Sequence, residues 1–349
     1  MNHRTVINID YLKLYCVGGT WEDIADIRIK DLPQRSRHFK RVSAVFLFGE
    51  RFAILEDKPH SKVLHPKAAL LKIENRYLYS HSLGVSLRYL LAIIKADVKS
   101  ISRLDIAIDF NYFVNGLYPE NLIQNYMKKK VLKKGRGKFT VSGQQADTNR
   151  FHYLKFGSRT SPVQVYLYNK SKEMEDVTFK NYIFESWKNA QLDVDKNVWR
   201  LEFSLKSEAT TYLDETCGEI IKLTWQDAIK QNVLRKLASS LADQYFTFVK
   251  PNGQSRITRM PKLKLLNLQE STVKRIRLTS EKDITRRDKV FLKNLYFERE
   301  INKEENPEYS ESTNEVLKTL ISNNYLLRYY HSRRMFWDQE INLLRHPKY

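Results

Sequence analysis

The heptapeptide RLDIAID, at residues 103–109, determines how the first part of the chain is interpreted. Successive side chains of a β-strand point to opposite faces, so the arginine and both aspartates would share one face and the leucine and isoleucines the other. Carboxylates are depleted from strands, which makes the pair Asp105 and Asp109 unusual. The pattern predicts a strand in a sheet that has one apolar face and one charged face.

A second stretch, WRLEFSLK at residues 199–206, repeats this arrangement and puts Glu202 on the charged face. If the two strands are neighbours, Glu202 would meet one of the aspartates across the ladder. Two explanations of the carboxylates stay open: ion pairs with arginine, or a site for a hard divalent cation such as Mg²⁺ or Mn²⁺. Asp105 and Asp109 would lie about 13 Å apart along a strand, so both could hardly bind the same ion directly.

The third stretch is VYLYNKSKE at residues 165–173, which places Tyr166, Tyr168 and Lys170 on one face of a strand. The ordinary pKa of tyrosine is about 10, so its phenol is a poor nucleophile at neutral pH unless a cation holds the phenolate or the attacked phosphate. Lys170 could provide such a cation. The triplet Tyr-x-Lys is weak evidence by itself, because the chain has 20 tyrosines and most tyrosines simply pack.

The order of the three stretches, between residues 102 and 206, resembles the replication initiation factor family of rolling-circle plasmids, phages and conjugative elements, also called trans-acting Rep proteins. The resemblance implies a rolling-circle replication initiator that nicks origin DNA through a tyrosine, becomes linked to the 5′ phosphate, leaves a 3′-hydroxyl primer and later rejoins strands. By position it implies that Tyr168 is the nucleophile, with Tyr166 as the alternative, that Lys170 and Arg159 support the phosphate, and that Asp105, Asp109 and Glu202 hold Mg²⁺ or Mn²⁺.

Two other functions remain open at this point. A metal-dependent nuclease that uses activated water would share the carboxylates, and a non-catalytic DNA- or RNA-binding regulator would need neither the metal nor the tyrosine. The eight histidines include no His-x-His pair, so we expect no metal site built on such a pair. No phosphate-binding loop of the type Gly-x-x-x-x-Gly-Lys-Ser/Thr occurs either. We therefore expect no nucleotide cofactor, and we expect a partner helicase to separate the strands.

The net charge predicts a polyanionic partner. The 349 residues include 60 Lys and Arg against 40 Asp and Glu, which leaves +20 at pH 7. The stretch KKKVLKKGRGK at residues 128–138 is the densest basic segment, and it predicts either a solvated loop or a loop that contacts phosphates. The expected DNA-binding residues are Lys128, Lys129, Lys130, Lys133, Lys134, Arg136, Lys138 and Arg150.

Cysteine content and hydropathy bear on location. The two cysteines, Cys16 and Cys217, cannot form a disulfide framework, which favours a reducing compartment. No segment approaches the roughly 18–20 uncharged apolar residues that a membrane span needs. These features predict a cytoplasmic protein without membrane contact, and they leave the oligomeric state open, with a dimer as one option.

The predicted fold class is α+β: a mostly antiparallel sheet with flanking helices, followed by a mainly helical C-terminal region. The expected divisions are a nicking and joining domain at 1–210, a helical basic DNA-binding region at 211–302, and a linker with a helical appendage at 303–349. A hairpin is expected around Gly49 and Glu50, a further strand at 67–79, and helices at 82–95 and from Pro119 to Met127. Thr224 with Asp227, and Ser312 with Glu315, predict two further helix starts.

Overall fold

The structure is a computed structural model that describes residues 4–114, 116–135, 138–144, 150–214, 220–254, 256–268, 271–275, 286–302, 330, 333–334 and 336–342. Two compact units result, Met1–Ile276 and Arg277–Tyr349. The division expected at residue 210 lies inside the first unit.

The described strands and helices have the following bounds. The strands are β1 Val6–Gly18, β2 Ile27–Asp31, β3 Phe39–Leu47, β4 Glu50–Pro59, β5 Ala68–Ile73, β6 Ala96–Phe110, β7 Leu132–Lys133, β8 Phe139–Gln144, β9 Arg150–Phe156, β10 Val163–Asn169, β11 Trp199–Lys206, β12 Thr211–Asp214, β13 Ile220–Lys222, β14 Phe248–Val249 and β15 Val273–Arg275. The helices are α1 Asn75–Leu78, α2 Leu83–Ile94, α3 Pro119–Met127, α4 Lys170–Asp176, α5 Asn181–Asn189, α6 Trp225–Ala228, α7 Gln231–Tyr245 and α8 Arg286–Asn302.

Ten of the described strands form one antiparallel sheet in the order β2-β3-β4-β5-β1-β6-β11-β10-β9-β8. The N-terminal strand β1 lies inside the sheet, between β5 and β6. The predicted α+β class with a mostly antiparallel sheet is therefore confirmed. The stretches at 103–109, 165–169 and 199–206 lie on the three neighbouring strands β6, β10 and β11.

Most local predictions hold, with two differences. The hairpin joins β3 to β4 through Phe48 and Gly49, which have φ of +52° and +82°, because a two-residue hairpin turn needs positive φ at both central residues. The strand expected at 67–79 ends at Ile73, and a helical turn over Asn75–Leu78 follows it. This turn brings the hydroxyl of Tyr79 to the carboxylate of Asp10.

Three predicted helix starts fall among the described residues, and all three are confirmed. Helix α2 covers Leu83–Ile94, and α3 covers Pro119–Met127 with proline in its first turn. Thr224 caps α6 by accepting a hydrogen bond from the backbone N–H of Asp227 at 3.1 Å. The segment after residue 210 also contains a three-stranded sheet of β13, β12 and β15.

The two faces of the large sheet carry different layers. The apolar face packs against α2, α3 and α7 in one core, in which Leu87, Leu122 and Leu241 meet Ile106 and Leu201. The charged face is covered by α4 and α5 around a smaller core, which contains the described side chains of Val6, Met174, Ile183, Trp187, Leu192 and Val198. Because Val6 pairs with Asp109, this smaller core covers the Asp109 end of β6.

The second unit contains α8 and an aromatic cluster that includes Tyr296, Tyr330 and Trp337. The expected linker and the helix start at Ser312 and Glu315 lie outside the described residues. Within the part of the chain that the structure describes, each helix is too short or too polar to cross a membrane.

Candidate active site on the charged sheet face

Strand pairing brings the three stretches together. In β11, Glu202 lies opposite Ala107 of β6 on one side and Tyr166 of β10 on the other. One step further along, Arg200 lies between Asp109 and Tyr168. The two strands are neighbours, as expected, but the predicted pairing is wrong in its detail: Glu202 lies opposite Ala107, while Asp109 faces Arg200 and Asp105 faces Ser204.

At the covered end of the face, Asp109 is held by a buried cation. Arg200, which has no exposed surface, donates from Nε to Asp109 Oδ1 at 2.7 Å and from its terminal nitrogen to Oδ2 at 2.8 Å. Trp187 of α5 donates from Nε1 to the same carboxylate at 2.7 Å. Three N–H donors thus occupy both oxygens of Asp109. For this aspartate, the structure favours the ion pair with arginine over the metal site.

The same arginine binds a second carboxylate, Asp10. Arg200 donates to Asp10 Oδ1 at 2.6 Å, and the Tyr79 hydroxyl donates to that oxygen at 2.8 Å. Burial alone would raise the pKa of Asp10, but Arg200 and Lys170 lower it to about 2. We call Asp10, Tyr79, Asp109, Trp187 and Arg200 the buried network.

A bulge in β1 allows Asp10 to join this network. Ile9 pairs with Ile106 and Tyr11 pairs with Asp105, so Asp10 is an extra residue on β1. A bulge places two consecutive side chains against one partner residue, and here both Asp10 and Tyr11 reach the charged face. Sequence reasoning missed Asp10 because strict alternation cannot locate a bulge.

At the open end of the face lies a cavity of about 560 Å³, which we call the Tyr168 cavity. The Tyr168 hydroxyl donates to Glu202 Oε2 at 2.9 Å. Both side chains line the cavity together with Tyr166 and with residues of β9 and α4. The lining residues are Ser142, His152, Tyr153, Tyr166, Tyr168, Asn169, Lys172, Glu173, Asp176, Val177 and Glu202.

The electrostatics of the cavity favour a protonated phenol and a carboxylate that titrates near neutrality. Burial raises the pKa of Tyr168 well above its ordinary value, and the neighbouring Glu202 raises it further. Burial raises the pKa of Glu202 to about 7, with added repulsion from Asp105 and Asp10. Glu202 can therefore both accept and release a proton near pH 7.

The second tyrosine has different partners. Tyr166 donates its hydroxyl to the side chain of Gln164 on the same strand, and burial raises its pKa to about 12. Lys155 of β9 lies 5.1 Å from the centre of its ring. The hydroxyl that donates to Glu202 belongs to Tyr168, so the geometry favours Tyr168 as the reactive phenol.

Lys170 lies elsewhere than the alternation predicts. Strand β10 ends at Asn169, whose side chain caps α4, and Lys170 is the first residue of that helix. Its ammonium group is buried against the Glu173 carboxylate and lies 5.6 Å from the centre of the Tyr168 ring. Burial lowers the pKa of Lys170. The side chain supports the ring of Tyr168 and is already paired with a carboxylate.

Asp105 is paired as well. Arg103 donates to its two oxygens at 2.9 and 2.5 Å, and Ser204 lies opposite it in β11. Burial nevertheless raises the pKa of Asp105. The arginine is about 42% exposed, so this ion pair opens towards solvent, whereas the Asp109 pair does not.

The three carboxylates expected to hold a divalent metal have different surroundings. Among the described residues, no group of three or more His, Cys, Asp or Glu side chains could hold a metal ion. Glu202 and Asp105 are the two predicted carboxylates at the open end, and Mg²⁺ in proteins is commonly held by one or two carboxylates with water and substrate phosphates. Glu202, which lines the Tyr168 cavity, fits such an ion, whereas both oxygens of Asp109 and of Asp105 are already bound by arginine.

Two other predicted phosphate ligands that the structure describes, Arg159 and Lys133, lie away from Tyr168. Arg159 is exposed in the turn before β10, and Val163, the first residue of that strand, is already about 17 Å from Tyr168 along the strand. Lys133 lies 4.8 Å from the ring of Phe156, which belongs to the apolar-face core. The lysine-rich segment therefore meets the sheet from the face opposite Tyr168.

The remaining basic residues are placed as follows. Exposed side chains in and beside this segment are those of Lys128, Lys129, Lys130, Lys134 and Lys138. Arg136 lies outside the described residues, and Arg150 begins β9 opposite Gln144.

Comparisons with known proteins find likenesses among solved structures. No protein-family model matches the chain, and no curated protein matches its sequence. Among solved structures, the chain is similar to the rolling circle replication initiator protein from Geobacillus stearothermophilus, with a TM-score of 0.43 and 14% sequence identity. The alignment covers 74% of this chain and 92% of that chain. Function is therefore inferred from the site itself.

Proposed function

We propose that this protein is a DNA nicking and joining enzyme that starts rolling-circle replication, with Tyr168 as its nucleophile. The observation that supports the proposal is the hydrogen bond of 2.9 Å from the Tyr168 hydroxyl to Glu202, inside a cavity on the charged sheet face. A nucleophile, a base within hydrogen-bond reach and an open space beside both are the elements of covalent catalysis.

In this mechanism, Glu202 takes the phenolic proton as the Tyr168 oxygen attacks a phosphodiester of DNA. A bond forms between that oxygen and phosphorus, and the bond from phosphorus to the 3′ oxygen breaks. A proton from water reaches the leaving 3′ oxygen on the opposite side of phosphorus, and Glu202 returns its proton to solvent, so the products are a phosphotyrosine linked to the 5′ end and a free 3′ hydroxyl. The reverse reaction rejoins the strands without ATP, because the ester keeps the energy of the broken bond.

The second oxygen of Glu202 is the protein group that would hold Mg²⁺ or Mn²⁺ in the Tyr168 cavity, together with water and a DNA phosphate. Such an ion supplies positive charge for the phosphate in a site whose carboxylates would otherwise repel DNA. Lys172, which lines the cavity, and Lys155 beside Tyr166 add positive charge there.

The substrate at the site is single-stranded or extruded DNA. The phenol of Tyr168 is recessed among the rings of Tyr153 and Tyr166, whose centres are 6.4 Å apart, and unstacked bases bind to such aromatic side chains. Recognition of origin duplex falls to the basic region after residue 210, and a helicase partner separates the strands.

The proposal is tested with supercoiled DNA that carries the coding sequence of this chain and its flanks, incubated with the purified protein and Mn²⁺ or Mg²⁺. We expect nicked circles and a covalent adduct that survives detergent, with a 5′-phosphorylated nucleotide on the peptide that contains Tyr168. Nicks without an adduct would instead indicate a nuclease that activates water. Binding without either product would indicate a non-catalytic regulator.

Glu202→Gln is expected to abolish nicking and to stabilise the fold above pH 7. The raised pKa means that the folded state binds a proton more tightly than the unfolded chain, so stability falls as pH rises from about 4.5 to about 7. Glutamine keeps an acceptor for Tyr168 and removes the charge, which should add about 1–3 kcal/mol at pH 8 and much less at pH 5.

Thermal unfolding at pH 5 and pH 8 measures this effect, with the exposed Glu208→Gln as the matched control. Equal unfolding temperatures for wild type and Glu202→Gln at both pH values would contradict the raised pKa.

A further inference from the structure

A second and larger concavity lies in the first unit, at the end of the sheet where β1 begins. Its volume is about 1,070 Å³, just above the range of about 300–1,000 Å³ typical of sites for one small molecule. Residues of β1, α2, α5 and α7 form its walls, and Asn267 with Leu268 completes it. We call it the N-terminal cleft.

The rim of the cleft carries uncompensated positive charge. Arg88 of α2 and Arg235 of α7 are both exposed, and neither has a hydrogen-bond or ion-pair partner among the described residues. The carboxylate that lines the cleft, Glu185, lies 3.8 Å from Lys188, which is on its own helix. Two free guanidinium groups at the mouth of one cleft suit a ligand with several phosphates.

The walls of the cleft also carry exposed groups that recognise bases. The side-chain amides of Asn189, Gln231 and Asn267 line the cleft, and none is bonded to another described residue. The ring of Tyr182 also lines it, with its centre 5.3 Å from that of Tyr79. Free amides read base edges and aromatic rings stack on bases, so phosphate and base contacts are both available here.

The cleft also adjoins the candidate active site. Helix α5 contributes Tyr182 and Asn189 to the cleft, while its Trp187 binds Asp109 of the buried network. Tyr79 belongs to both the cleft and the network. Helix α4 lines the Tyr168 cavity, and α5, which packs in the same small core, lines the cleft.

We infer that the N-terminal cleft binds a segment of single-stranded DNA, with Arg88 and Arg235 on its phosphates and the amides on its bases. The assignment to the strand that is nicked rests on the proposed function. A volume larger than one small molecule needs, with two separate arginines at the mouth, favours a short strand over a free nucleotide.

The test measures binding of a fluorescein-labelled 20-nucleotide DNA strand of mixed sequence by anisotropy, from 50 to 300 mM salt. All proteins carry Tyr168→Phe, so that no cleavage occurs. Arg88→Ala with Arg235→Ala should weaken binding at least about 10-fold at 100 mM salt and reduce the salt slope by about 1.4, which is roughly 0.7 for each phosphate contact.

The matched control removes two exposed charges outside the cleft, by Lys40→Ala with Lys236→Ala. Lys236 is the direct neighbour of Arg235 on α7, so general electrostatics near the cleft are preserved. The four substituted side chains are exposed, and we expect unchanged unfolding temperatures in both double variants. Equal affinity and equal salt slope in the two variants would overturn the inference.

Two further arms separate the sources of the ligand and the two proposals. Competition by deoxynucleoside monophosphates at concentrations that match the strand in nucleotides would assign the cleft to free nucleotides and overturn the strand assignment. Covalent capture through Tyr168 is measured separately in proteins that keep this tyrosine. If an adduct forms but the arginine double variant keeps the salt slope, only the proposal for the cleft is refuted. If the salt slope changes but no adduct forms, only the proposed nicking function is refuted.

Discussion

Tyr168→Phe should reduce nicking and covalent capture at least about 10⁴-fold while DNA binding stays within about twofold of wild type. The substitution removes the oxygen that attacks phosphorus, and loss of a nucleophile removes almost the whole rate advantage of the covalent route. It also removes the hydrogen bond to Glu202, which is worth about 1 kcal/mol, so the fold should persist. Detergent-stable adducts and nicked circles are counted on gels.

Tyr166→Phe is the matched control, because Tyr166 lies on the same strand and lines the same cavity. Its hydroxyl donates to Gln164, so its loss should lower nicking less than tenfold. If Tyr166→Phe abolished the adduct and Tyr168→Phe did not, Tyr166 would be the nucleophile. If both single variants formed adducts at the wild-type rate, the tyrosine mechanism would be refuted.

Asp109→Ala should destabilise the fold by about 3–5 kcal/mol. The change leaves the buried Arg200 guanidinium without its two bonds to Asp109 and the Trp187 N–H without its acceptor. Removing one partner of a buried pair is costly because the other charge stays buried and poorly compensated. Asp10 still binds Arg200, which limits the loss. Urea denaturation measured by circular dichroism gives the free energy of unfolding.

Asp105→Ala is the comparison, since Asp105 lies on the same face of the same strand. Its partner Arg103 is about 42% exposed and can return to water, so the cost should be near 1 kcal/mol. Equal costs for the two variants would contradict the division of the charged face into a covered end and an open end. If Asp109→Asn kept the wild-type fold and lost metal-dependent nicking, the predicted metal role of Asp109 would be supported.

Alternation along individual strands could be predicted from the sequence, and it was sufficient to place Glu202 and Tyr168 on one face. The sequence could not predict which carboxylate would be free of an ion pair, because that depends on pairing between strands far apart in the chain. Arg200 reads as one more charge on the face, yet its position opposite Asp109 commits both groups to a buried ion pair. Trp187 reaches this pair from a helix that no local pattern connects to β6.

Two errors of placement have simple physical causes. Lys170 was assigned to a strand face by counting, but Asn169 is a strong helix-capping residue and ends the strand first. Basic residues were assigned to the site by charge density, and charge density carries no information about which face of a sheet a loop approaches. Lys133 shows this, because its ammonium group lies over the ring of Phe156 on the apolar side.

The central position of the N-terminal strand has a consequence for synthesis of the protein. Strand β1 pairs with β6, whose first residue lies about 80 positions after the end of β1, and Asp10 binds Arg200 across 190 positions of sequence. Contacts that span so much of the chain form late and slow the folding of a domain. On the ribosome, β1 must therefore wait for β11 before Asp10 and Asp109 are neutralised, and a nascent chain that stops before Arg200 should remain open to chaperones and proteases.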